Sequence, residues 1–144
     1  MLFRSYELKN LPSYTVTIPE SVVITDEGSD VTIEASDVKN LDGQKVSVTI
    51  AGTDAYRNQM LLSGKTESGS NASIRYKFVL ADDTVVETTG KKDEVVGKEL
   101  ASFTEDGGVS FKAYPVSDNS SSIKYGVTYT GTMTYGIALT DAAN

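Results

Sequence analysis

The chain has 144 residues, 13 of them basic and 20 acidic, for a formal net charge of −7. The acidic balance argues against nucleic acid and anionic lipid, which both require a basic surface. With no cysteine, histidine or tryptophan, the chain lacks disulfides, thiolate chemistry, zinc–sulfur sites, the commonest general base and the most favoured sugar-stacking platform, for which the eight tyrosines only partly substitute.

A composition of 39% hydrophobic and 23% charged residues suits one folded domain with a real core. No apolar run approaches the roughly 20 residues that span a bilayer as a helix. Leu2-Phe3-Arg4-Ser5 is what a common sequencing-adapter end encodes when read in frame, with an ordinary N-terminus as the alternative. Residues 1–12 are therefore set apart as an N-terminal extension whose native status stays open, and a missing leader carries no information on localisation. The folded unit is predicted over residues 13–140, with 141–144 as a tail.

Regular structure is predicted to begin at Tyr14-Thr15-Val16-Thr17-Ile18, which alternates and is closed by Pro19. Proline cannot donate a ladder bond, so this reads as an edge strand or a switch between sheets. Ser21-Val22-Val23-Ile24 follows, then a polar turn over Asp26 to Asp30 and a strand at Val31 to Ala35. After the turn Leu41-Asp42-Gly43, the stretch Lys45 to Ile50 puts Val46, Val48 and Ile50 on one face.

Met60-Leu61-Leu62 is a short apolar run before a Ser/Gly-rich loop from Ser63 to Asn71. Ile74, Tyr76, Phe78 and Leu80 alternate, and Asp82-Asp83 turns the chain into Val85-Val86-Glu87, which together predict a β-hairpin. Gly90 to Asp93 is a charged turn, and Val95 to Leu100 reads as a short strand or a bridge. Val109, Phe111 and Ala113 mark a strand, and a loop from Ser117 to Ser122 leads to the last element.

That element, Tyr125 to Leu139, is the most regular in the chain. Every odd position is apolar or glycine, and threonine dominates the even ones. It predicts one long strand with a core face and a solvent face, bent or bulged at Gly131. The sum is about seven to nine short strands with turns about every 8–12 residues and no amphipathic helix. The fold class is all-β, with the spacing of a Greek-key sandwich.

Two segments carry a resemblance. Tyr14-Thr15-Val16-Thr17-Ile18-Pro19 resembles the opening strand, and Tyr129-Thr130-Gly131-Thr132-Met133-Thr134-Tyr135-Gly136-Ile137 the closing strand, of a widespread immunoglobulin-like module of Gram-positive extracellular and cell-surface proteins. The likeness spans residues 14–139 in outline and is specific only at the two ends. It implies an immunoglobulin-like β-sandwich, an extracellular or cell-surface location, and a role in display, adhesion or multi-domain stalks. It transfers no active site. The chain has no LPxTG sorting motif, so covalent attachment to the wall is not supported.

Site motifs are weak. Ser117-Asp118-Asn119 and Ser121-Ser122-Ile123-Lys124 contain the letters of penicillin-binding enzymes in reversed order, in a short loop and without K-T-G, so chance is the better reading. The acidic groups Asp26-Glu27-Asp30, Asp82-Asp83, Asp93-Glu94 and Glu105-Asp106 lack calcium-loop spacing and read as solvated turns. Lys77 falls on the face opposite Tyr76 and Phe78, and the last strand holds no Asn, which disfavours a lysine–asparagine crosslink. Asn71-Ala72-Ser73 and Asn119-Ser120-Ser121 match glycosylation triplets that are common by chance. The parity of Tyr125, Tyr129 and Tyr135 with Val127, Met133 and Ile137 assigns these tyrosines to the core face or its rim.

No catalytic, cofactor-binding or metal-binding residue is assigned. The expectation is a non-enzymatic surface module without a cofactor, structural or adhesive. Its partners would be a protein or glycan ligand, met through the loops Gly52–Gln59, Ser63–Asn71 and Ser117–Ser122, or other copies of itself, met by strand addition if the first or last strand pairs with another copy. A virion structural protein, such as a capsid decoration or tail module, is the alternative. An accessory domain of a carbohydrate-active enzyme fits the fold but lacks the tryptophan platform.

Overall fold

The computed structural model describes residues 11–24, 27–116 and 128–141. The chain is all-β, with two antiparallel sheets packed face to face. The strands are β1 (Ser13–Thr17), β2 (Ser29–Lys39), β3 (Gln44–Thr53), β4 (Leu61–Lys65), β5 (Asn71–Val79), β6 (Val85–Val86), β7 (Glu99–Phe103), β8 (Gly107–Val116) and β9 (Met133–Asp141). One sheet runs in the order β1-β2-β8-β5-β4, with β6 also on β5. The other runs β7-β3-β9.

Period-two alternation builds the core. Val31, Ile33 and Ala35 of β2, Ile74, Tyr76 and Phe78 of β5, and Phe111 and Ala113 of β8 are buried on the inner face of the larger sheet. Val46, Val48 and Ile50 of β3 meet them from the smaller sheet, with Leu100, Ala101 and Phe103 of β7. Tilted aromatic contacts join Phe78 to Phe111 at 4.9 Å and to Tyr76 at 5.7 Å between ring centroids, a favoured geometry that adds to area burial. Tyr14, Val16 and Ile18 pack half-buried against the core's edge, as their alternation predicts.

The β5–β6 hairpin forms as expected. Asp83 takes a left-handed conformation at φ 68°, and the Leu80 N–H donates to the Thr84 carbonyl at 2.8 Å. The turn before β3 also forms, with Asp42 and Gly43 both at positive φ.

Four expectations need correction. Ser21 to Ile24 is not a strand, and Val23 is 80% exposed. Ser63 to Lys65 belongs to β4 and Asn71 opens β5, so the loop between them shrinks to residues 66–70, closed by Thr66 N–H to Ser70 O at 2.9 Å. Val95 to Gly97 is a turn, with Val95 buried in the core, and the strand starts at Glu99.

The fourth concerns Tyr125 to Leu139. Residues 125–127 lie outside the described residues, and 128–132 are not a strand. Thr130 bridges to Ser63 of β4 in the larger sheet, whereas β9 begins at Met133 and pairs with β3 in the smaller one. The alternation in sequence therefore runs on through a change of sheet, and the residues packed against the core are Met133, Tyr135 and Leu139 of its second half. The bend predicted at Gly131 sits at the crossing.

Candidate functional site: a groove between the sheets

The crossing leaves an opening of about 340 Å³ between the sheets. Val31, Tyr76, Phe78 and Ala113 form its wall on the larger sheet, and Met133 and Tyr135 of β9 form the facing wall. Leu62 and Gly131 line it at the crossing, and the irregular segment from Ile18 to Ile24 passes along its mouth. Pro19 ends the β1 ladder just where the chain leaves the sheet.

Gly131 is required by close approach. A Cβ there would lie 2.9 Å from Leu62 Cδ2 and 3.1 Å from the Leu61 carbonyl oxygen. Backbone bonds clamp it on both sides: Ser63 and Thr130 exchange N–H···O bonds of 2.8 Å each, and the Asp54 N–H donates to Thr132 O at 3.0 Å. The Asp54 carboxylate accepts from the Thr132 N–H at 3.0 Å.

The groove's chemistry is apolar with two phenols. Burial pushes the Tyr76 hydroxyl well above the usual tyrosine range, reinforced by the neighbouring Tyr135 and by the Asp54 charge. Burial also raises Tyr135. Both rings are therefore neutral at ordinary pH and able to donate a hydrogen bond. Among the described residues, Glu20 is the one charged residue of the lining, beside Ser21 and Thr132. Such a lining suits an apolar or aromatic group held by its body and one polar tip.

The parity argument for the tyrosines holds in part. Tyr135 is half-buried and packs against the core, Tyr129 is half-buried without being among the residues packed on it, and Tyr125 lies outside the described residues. Ile137, however, is 41% exposed rather than buried. It lies on the border strand of the smaller sheet, where the facing sheet no longer covers it.

The loops predicted to make contacts are unlike one another. Gly52–Gln59 is anchored rather than loose: Thr53 N–H donates to Asn58 Oδ1 at 3.0 Å, Thr53 Oγ1 to Gln59 O at 2.7 Å, and Asn58 Nδ2 to Asp93 Oδ1 at 2.6 Å. Gln59, buried, also donates to the Lys91 carbonyl. What this frame presents outward is Tyr56, 78% exposed, with the Arg57 guanidinium 5.2 Å from its ring centre. The connection enters β4 at Leu61, opposite Arg75 in the middle of β5, so it crosses at mid-sheet rather than at a sandwich end. Ser117–Ser122, with its S-D-N and S-x-x-K letters, lies outside the described residues.

Glu94 was missed in the sequence as anything but a solvated turn. Its carboxylate accepts from the Thr89 hydroxyl at 2.6 Å and from the backbone N–H groups of Thr89, Gly90 and Lys91 at 2.7, 3.0 and 3.0 Å. The Thr89 hydroxyl, followed by those backbone donors, holds its pKa down at about 2. It closes the loop onto itself, and a run of N–H groups before an acid is the only signal that could have revealed it. Among the described residues no three acidic side chains gather as a metal site would need. Among them, too, no helix is long and apolar enough to cross a membrane.

No protein-family model matches the chain, and a comparison with curated proteins finds no match.

Proposed function

We propose that the chain is a non-enzymatic, immunoglobulin-like module of a bacterial cell surface, structural or adhesive in role. The observation that carries this reading is the position of the two family-like motifs. Tyr14–Pro19 forms the bordering strand β1 and its proline exit, and Tyr129–Ile137 forms the crossing from one sheet to the other. Each motif thus has an architectural reason, including a glycine where an added Cβ would press on Leu62 and the Leu61 carbonyl.

The strand order supports the same assignment. The run β1-β2-β8-β5 corresponds to A-B-E-D of the immunoglobulin sandwich, and β3 beside β9 to C beside F. The chain leaves the larger sheet after β2, returns after β3 and leaves it again after β8, with a further excursion at β7. β7 departs from that order, because it follows β5 in the chain yet borders β3. The groove's mostly apolar lining fits contact rather than bond breaking, and the anchored Tyr56–Arg57 tip pairs two residue types enriched where proteins bind one another.

Antibodies raised against the purified chain test this on intact, unpermeabilised source cells. Labelling that external protease removes is the expected result. Labelling only after permeabilisation overturns the surface reading. Recovery of the chain from purified virus particles instead would establish the virion alternative.

A further inference from the structure

Among the described residues, the outer border of β9 has no pairing strand. The other borders are blunted in the ways sheets use against unwanted pairing. β1 has five residues, a register shift between Ser13 and Thr15, and Pro19 just beyond. β4 has five residues, ends on Lys65 and is bridged at Ser63 by Thr130. β6 has two residues. β7 has five and opens on Glu99, whose carboxylate is bonded to Lys45 and Ser47. β9 has nine residues, MTYGIALTD, with no Pro, Lys or Arg and its one charge at the last position.

The ladder shows which backbone groups of β9 face outward. Ile50 of β3 turns its N–H and C=O toward β7, bonding Lys98 O at 3.0 Å and Gly97 N at 2.7 Å. Strand alternation then directs Ser47 and Thr49 toward β9, where they oppose Ala138 and Gly136. The even positions of β9 are consumed by β3. Tyr135, Ile137 and Leu139 present their N–H and C=O groups to the open side.

We propose that this border is a two-fold interface with a second copy of the chain, formed by antiparallel pairing of β9 with β9 centred on Ile137. In that register Ile137 opposes Ile137, Tyr135 opposes Leu139, and these are the positions whose backbone groups are open. Aromatic–aliphatic and β-branched pairs are favourable cross-strand partners. Thr134 meets Thr140, small Gly136 meets small Ala138, and Asp141 meets uncharged Met133, so no like charges face each other. The exposed Ile137 falls on the axis and is covered by its own copy. The surface is self-complementary, as an isologous contact must be, and the two β7-β3-β9 sheets become one continuous sheet. This goes beyond the surface-module reading and does not depend on where the protein works.

Sedimentation velocity on the purified chain over a concentration series tests it, with the variants Ile137→Lys and Ile137→Glu. The expected result is a concentration-dependent dimer for the parent chain and monomer for each variant. An equimolar mixture of the two variants should recover the dimer, because Lys then opposes Glu on the axis. A parent chain that stays monomeric to about 1 mM, the level of a very weak complex, overturns the proposal. So does a dimer that both variants leave unchanged, or assembly that grows beyond two copies. Should a variant fail to fold, isotope-filtered NOEs in a mixture of differently labelled parent chains decide: methyl contacts between Ile137 of the two copies support the seam, and their absence in a confirmed dimer refutes it.

Discussion

Ser63 and Thr130 exchange two backbone hydrogen bonds of 2.8 Å, 67 residues apart in the chain, and that exchange ties the final segment to the larger sheet just before it joins the smaller one. Two residues later Asp54 receives and returns bonds with Thr132 on the other side of the crossing. The two sheets are therefore joined by main chain as well as by side-chain packing.

Gly131 stands between these clamps, where an added methyl group meets both a side chain and a main-chain carbonyl. Gly131→Ala must displace the Leu61 carbonyl or the Leu62 side chain. A loss of about 1–3 kcal/mol is expected, the usual range for overpacking. Urea unfolding of the variant measures it, and a loss below about 0.5 kcal/mol, the level of a neutral surface change, would show that the crossing gives way freely.

Core and mouth should respond oppositely to the same truncation. Ile33 is fully buried between the sheets, and Ile33→Ala is expected to cost about 2–5 kcal/mol. Val23 is 80% exposed in the irregular segment along the groove, and Val23→Ala should change stability by about 0.5 kcal/mol or less. Paired denaturation curves check both.

The Glu94 loop predicts an acid limb. Its carboxyl titrates at about 2 in the folded chain against an ordinary 4.5, so the unfolded chain binds the extra proton between those values. Stability from this group is complete above pH 4.5 and is lost as pH falls toward 2. Glu94→Gln should lower the melting temperature at pH 6, and the gap from the parent chain should narrow steadily between pH 4.5 and 2. A gap constant across that window would mean the carboxylate's charge contributes nothing.

The groove predicts an alkaline limb of opposite sense. Tyr76 and Tyr135 are raised by burial, so the folded state resists their ionisation. Their contribution is present below the usual tyrosine value near 10 and is lost above it. Ultraviolet titration should show Tyr76 ionising only as the protein unfolds and Tyr135 ionising above the ordinary tyrosine range, and Tyr76→Phe should remove the first of these. Ionisation of all tyrosines near pH 10 with the fold intact would contradict the buried geometry.

Much of the architecture was legible because alternation encodes it directly. Val46, Val48 and Ile50, and Ile74, Tyr76 and Phe78, were read from period two and are buried as read. Alternation says which side chains face the core but not which sheet carries them, so Tyr129 to Ile137 looked like one strand although it changes partner at Thr130. The same ambiguity hid the exposure of Ile137, since parity cannot tell a central strand from a bordering one. The groove was not legible at all: it arises from where Ile18–Ile24 passes over Tyr76 and Tyr135, a relation between segments distant in sequence. Glu94 and Gln59 were missed because most of their partners are backbone groups, whose placement depends on turn geometry rather than on residue type.

The central structural claim is that β9 is a bordering strand, paired with β3 through its even positions and open through its odd ones. Amide hydrogen exchange resolved by residue tests it directly. In dilute solution the N–H groups of Gly136, Ala138 and Thr140 should be protected while those of Tyr135, Ile137 and Leu139 exchange rapidly. At high concentration the odd set should gain protection and the even set should not change. Protection of Tyr135, Ile137 and Leu139 at every dilution, or rapid exchange at Gly136 and Ala138, would contradict the claim.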